Sequence, residues 1–182
     1  MTEISDRYRR NADAFAATVA AVPPDRWGAP SPCEEWDARA VVAHVVAGHG
    51  IFEGMVDREL APHPSADDDP AAAFAAVRAQ VQAELDDPEL ADVEFDGFFG
   101  RTSFAQAVDR FMSADLVVHR WDLARAAGSD VEIPADEIAR ILSESESWGD
   151  AMRSPGTFGP EVEPPAGADE QTRFLCFLGR RP

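Results

Sequence analysis

The segment between Ser103 and Gly128 limits the possible folds of this chain most. Ser103 and Gln106 have the spacing of a capping box, in which each side chain satisfies the other's free backbone amide at a helix start. Gly128 can adopt the left-handed turn that ends a helix. One helix is therefore predicted from Ser103 to about Ala127. At about 100° per residue, Phe104, Val108, Phe111, His119, Asp122 and Ala126 fall within about 40° of Asp115. That stripe is apolar at both ends and polar only at Asp115, His119 and Asp122, while Arg110, Arg120 and Arg125 lie off its centre line.

The rest of the chain divides into similar pieces. A first helix is predicted over about 3–21, with Ala12, Phe15, Val19 and Val22 on its apolar face, ending before Pro23 and Pro24. Residues 30–36 read as a turn, and Asp37 is an N-cap for a second helix over about 38–59. Pro70 opens a third helix to about residue 86. Residues 87–102 read as irregular, with a short extended piece at Val93 to Phe95. Pro134 opens a fifth helix through about Met152, residues 153–167 form a loop, and a last helix covers about 168–178. No convincing alternating strands are present. The expected fold is all-α, with four antiparallel helices at its centre. Its expected organisation is one domain over 1–182, with the bundle at about 3–152.

A carboxylate on a core face costs several kcal/mol unless it is paired or bound to a metal. Asp115 and His119 lie one turn apart, so their side chains can converge. On the second helix, Asp37, Ala40, Gly48, Ile51 and Met55 cluster around His44, which places His44 in the middle of a core stripe. One reading is a metal ion held by His44, Asp115 and His119. The other is a buried Asp–His hydrogen bond, with His44 satisfied by a backbone carbonyl. Asp122, one turn beyond His119, suits a carboxylate that orients a ligating imidazole. His49 falls about 140° from His44 and reads as solvated or peripheral. His63 reads as exposed, and Cys33, Trp36 and Trp121 read as packing residues. Arg120 and Arg125 are candidates for holding an anionic cosubstrate, although solvated positions or pairing with the surplus acids explain them more readily.

The chain carries 34 acidic and 16 basic residues, all of the latter arginine, for a net charge of −18. Such a surface repels phosphate backbones and anionic lipid, so no nucleic-acid or membrane partner is expected. No apolar run approaches the roughly 20 residues that span a bilayer. The two cysteines, Cys33 and Cys176, form no metal or redox motif, and a reduced cytoplasmic protein is the simplest expectation.

Two stretches carry a resemblance. Trp36 to His44, reading W-x-x-R-x-x-x-x-H, is similar to a signature of the mycothiol-dependent maleylpyruvate isomerase family, within the DinB-like superfamily. Ser31-Pro32-Cys33 just before it fits too, and Asp115 to Gly128 resembles the family's second signature. The ending Phe177 to Pro182 looks like the tail of its short members. The resemblance implies a DinB-like four-helix bundle that binds one divalent ion through His44, Asp115 and His119. Zinc is the ion implied, with nickel, manganese or iron as alternatives. The isomerase itself uses glutamate where this chain has Asp115, and has an additional C-terminal domain that 182 residues do not accommodate.

Three protein ligands leave positions open, which favours chemistry over a purely structural ion. The function implied is a metal-dependent enzyme using a small thiol such as mycothiol, as isomerase, transferase or detoxifying hydrolase. The alternative is a metal-containing binding or stress-response protein without turnover. Either a monomer or a homodimer is compatible with the sequence.

Overall fold

Side-chain caps start the long helices of the computed structural model, which describes residues 2–97, 99–149, 153 and 158–182. Thr2 accepts from the Ser5 amide at the head of α1 (Glu3–Ala21), and Asp37 from Ala40 at the head of α2 (Ala38–Gly54). Asp69 does the same for α3 (Pro70–Asp86), where Pro70 occupies a first-turn position that needs no donor. A short helix, α4 (Pro88–Ala91), leads to an antiparallel hairpin of β1 (Glu94–Gly97) and β2 (Gly100–Ser103), with Glu94 opposite Ser103.

The capping box of Ser103 and Gln106 then opens a continuous helical rod. It consists of α5 (Phe104–Ala107), one wide π turn (Val108–Met112) and α6 (Ser113–Ala127), closed by Gly128 at φ +83°. Two further helices follow, α7 (Ala135–Glu146) and α8 (Glu170–Phe177).

The expected all-α bundle is borne out. Helix α1 packs against α3 and α6, and α2 packs against the same two, which closes a four-helix ring. Its core holds Tyr8, Phe15, Val41, Val45, Phe74 and Leu116. A second apolar cluster, including Trp121, Ile138, Ile141, Phe174 and Leu178, joins the outer side of α6 to α7 and α8. Helix α6 is thus covered on two sides, and most of its side chains are buried. No helix among the described residues is long and apolar enough to cross a membrane.

Several boundaries differ from the sequence expectation. Helix α2 stops at Gly54, because Asp57 turns left-handed at φ +56° and the Arg58 amide returns to the Glu53 carbonyl. The extended piece expected at Val93 to Phe95 is one arm of a hairpin. The fifth helix ends at Glu146, and residues 150–152 of its expected span lie outside the described residues, as do 154–157 of the following loop.

His49 corrects the sequence reading outright, because it is fully buried. Its Nδ1 lies 2.7 Å from the Val45 carbonyl, which fixes the proton there. The Tyr8 hydroxyl therefore donates to Nε2 at 2.8 Å. The buried stripe of α2 runs through Ala38, Val42, Val45, His49 and Glu53, so the core lies towards His49 and away from His44. Burial pushes the His49 pKa down to about 4, which keeps the ring neutral.

Candidate metal centre

His44 reaches the site from α2, and Asp115 and His119 reach it from successive turns of α6. The three ligand atoms lie within 4.8 Å of one another. His44 Nε2 is 3.2 Å from Asp115 Oδ2, and His119 Nε2 is 3.4 Å from Asp115 Oδ1. The trio lines the wall of a cleft of about 1970 Å³, rather than lying in the core where the sequence put it. His44 and Asp115 keep 36% and 35% of their side-chain surface exposed, and His119 keeps 7%. The π turn explains the difference for Asp115. A π turn takes in one extra residue, so Phe104 before it and Val108 at its start are rotated by up to about 100° from the face Asp115 occupies. Both of those residues are fully buried, whereas Asp115 opens to the cleft.

Asp122 lies behind His119. Its Oδ2 is 3.0 Å from His119 Nδ1, inside the bundle, and the carboxylate is fully buried. Arg180 grips it with Nη2 at 2.9 Å from Oδ2 and Nε at 3.3 Å from Oδ1. Cys33 completes the group, its thiol donating to Asp122 Oδ2 at 3.2 Å and accepting from Arg180 Nη2 at 3.4 Å. Burial pushes the Asp122 carboxyl up, but the His119 hydrogen bond and the Arg180 charge hold it down at about 2.

Cys33, Asp122 and Arg180 are brought together by two tight turns. The loop before α2 is closed by the Ser31 amide on the Trp36 carbonyl, with Glu35 left-handed at φ +67°. This aims Cys33 at the site and lays Trp36 over it, with ring centroids 4.6 Å from His44 and 5.7 Å from His119. After α8, Gly179 turns at φ +84°, and a Cβ there would meet the Gly159 backbone at 3.0 Å. That turn sends Arg180 back into the bundle.

Cys33 is half-buried beside His119 and Asp122, not a packing residue as the sequence suggested. Arg180 was missed altogether, since its only sequence signal was its place in the tail signature. Trp121 is buried packing, as expected. Arg125 pairs with Asp130, and Arg120 reaches the Glu132 carbonyl in a separate small cavity. Neither lines the cleft, whose arginines include Arg101, Arg110 and Arg180.

The chemistry of the donor set fits a divalent ion. Tetrahedral ligands at about 2.1 Å from an ion stand about 3.4 Å apart, the spacing seen on both sides of Asp115. With its Nδ1 proton given to Asp122, neutral His119 turns the Nε2 lone pair towards Asp115. Two electron-rich atoms then face each other, and a cation must lie between them. Without an ion that cation is a second proton on His119. Burial disfavours it, but the charges and hydrogen bonds of Asp115 and Asp122 hold the ring's pKa well above the ordinary value. The Asp115 carboxyl, which burial alone would raise, is held far below its usual range by His119 and His44. A second group, Cys33, His119 and Asp122, also has metal-ligand types at close range. There the Arg180 guanidinium already supplies the positive charge, which disfavours an ion.

Comparison with known proteins agrees with this architecture. The family described as the mycothiol maleylpyruvate isomerase N-terminal domain matches residues 8–124, which run from within α1 through all three candidate ligands. The chain belongs to this family. Two uncharacterised proteins of Mycobacterium tuberculosis, from strains CDC 1551 and H37Rv, are each 29% identical over 175 residues, covering 95% of both chains. No solved structure matches. The family region ends just after Asp122, so Arg180 is added from outside it.

Proposed function

We propose that this chain is a metal-dependent enzyme that uses a low-molecular-weight thiol of the mycothiol kind as cosubstrate. The observation that carries the reading is the opening of the His44–Asp115–His119 set onto a large cleft, where a small molecule can reach it. The family's own description names mycothiol and supports the thiol class. Isomerase, transferase and detoxifying hydrolase chemistry all suit such a site.

The three side chains would hold the ion, with zinc as the expected metal. A divalent ion, when bound, supplies a Lewis acid that favours loss of a thiol or water proton near neutral pH. Asp122 keeps the His119 proton on Nδ1 and so fixes the tautomer needed for ligation. Arg180 balances the Asp122 charge, which leaves Asp115 as the anionic ligand facing the cleft. Trp36 covers the two imidazoles and restricts water on that side. A divalent ion held with Asp115 would carry a formal charge of +1, which would favour a thiolate over a neutral thiol in the cleft.

Cobalt substitution tests the reading. Titration with mycothiol should change the visible spectrum, and a desulfurised analogue should not. Full metal loading with no spectral or calorimetric response to the thiol would favour a binding or stress-response protein without turnover.

A further inference from the structure

The stripes that carry the candidate ligands run on into apolar residues. Along α2, His44 is followed on one face by Gly48, Ile51, Phe52 and Met55, and on the rod Phe111 stands four residues before Asp115. All of them line the same cleft as the ligand atoms. Ile51 is 60% exposed, Phe99 44% and Met55 36%, and these are three of the five exposed large hydrophobic residues among those described. An acidic protein has no solubility reason to gather them there, and clustered exposed apolar side chains mark a binding surface.

The rings of the wall form a connected set. Phe111 lies 6.2 Å from Phe52, 6.0 Å from Phe99 and 5.7 Å from Trp148, the last two nearly parallel. Arg110 lies over Phe99 and Phe111, but its charge is met by Glu144 at 3.1 Å. Arg101 is likewise met by Glu94 at 3.0 Å. The cations beside the rings are thus already balanced, and the wall complements an uncharged body. The cleft exceeds the roughly 300–1,000 Å³ of an ordinary ligand pocket, leaving room beyond a thiol.

We infer that the site takes a second, uncharged apolar cosubstrate with an aryl or alkyl body, seated on Ile51, Phe52, Met55, Phe99, Phe111 and Trp148. The inference rests on the thiol-dependent reading for what lies at the ion. The wall itself is a property of these side chains. A cosubstrate is favoured over a second copy of the chain because the wall and the ligand atoms share one cavity, so whatever occupies one end abuts the other.

The first probe is N-phenyl-1-naphthylamine, an uncharged dye that brightens in apolar surroundings, titrated without metal. Saturable binding is expected, weakened at least fivefold by Ile51→Ser or Met55→Ser. Both positions are exposed, so the fold should survive. Leu90→Ser, exposed elsewhere, should have no effect. The second probe is a series of n-alkyl thiols on the cobalt-loaded protein, whose affinity should rise about two- to fourfold per methylene from ethanethiol to hexanethiol. Thiols that perturb the cobalt spectrum with an affinity independent of length, together with no dye binding, would overturn the inference and leave the thiol reading intact. Dye binding that responds to Ile51→Ser, with no thiol effect on cobalt, would support the wall and remove the thiol reading. A dimer that Ile51→Ser dissociates, with dye binding only to the monomer, would make this face a self-association surface and overturn the inference.

Discussion

Arg180 and Asp122 stand 58 positions apart, yet the guanidinium places two nitrogens on the two carboxylate oxygens, at 2.9 and 3.3 Å. Both side chains are buried, Asp122 completely. Removing one partner of such a pair leaves the other charge uncompensated away from water. Arg180→Ala should therefore destabilise the fold by about 3–5 kcal/mol. Urea denaturation checks this, and a double-mutant cycle with Asp122→Asn should give a coupling energy of more than about 1 kcal/mol. Additive losses would mean the pair contributes little.

Protein purified without chelator should carry up to one divalent ion per chain by elemental analysis. His44→Ala and Asp115→Asn should each lower occupancy sharply. Asp122→Asn should weaken affinity by about 10- to 100-fold, less than Asp115→Asn does, because it acts through the orientation of His119. Chelator competition on both variants decides. An equal or larger loss for Asp122→Asn would make that carboxylate a direct ligand.

Cys33→Ser separates the two candidate ligand groups. The thiol lies on the Nδ1 side of His119, next to Arg180, away from the Nε2 atom that meets Asp115. Metal content should stay close to that of the parent. If the ion is lost with Cys33 while His44→Ala retains it, the ion belongs to Cys33, His119 and Asp122.

Glu53 gives the fold an unusual pH dependence. Its side chain is fully buried, 3.5 Å from Arg58, and burial together with the neighbouring Glu84 pushes its pKa up to about 8 from 4.5. Between those values the folded state holds a proton that the unfolded chain has released, so this group makes stability fall as pH rises from about 4.5 to 8. His49 acts on the acid side. Its neutral form matches the fold, so its contribution is complete above 6.5 and is lost as pH falls towards 4. Melting temperature measured from pH 5 to 8.5 should flatten at its upper end in Glu53→Gln. An unchanged slope would show that Glu53 is ionised in the fold.

The helices were legible because their caps and periods are local. Thr2, Asp37, Asp69 and Ser103 each satisfy an amide within three residues, and α1 and α3 begin and end where the sequence puts them. Periodicity also put Asp115, His119 and Asp122 on one face. It could not say which stripe of α2 points inward, because His44 and His49 both sit among apolar neighbours. The Tyr8 hydroxyl on α1 decides that, and only tertiary packing reveals it. Cys33 and Arg180 were illegible for the same reason, since their bonds to Asp122 span 89 and 58 positions.

The wide turn at Val108–Met112 stores one residue of slack in this helix. One residue fewer there would let the rod close into uniform α geometry. Phe104 would then stand ten α residues before Asp115, about 80° round the axis, which is close to the face the wide turn already gives it. Phe104 would stay in the core, and the hairpin that carries Phe99 would keep its place. A deletion at this point is absorbed, while the same deletion within α6, between Asp115 and His119, would act as a rotation of about 100°. Homologous sequences aligned across this helix should therefore tolerate the loss of a position within 108–112 far more readily than within 113–127.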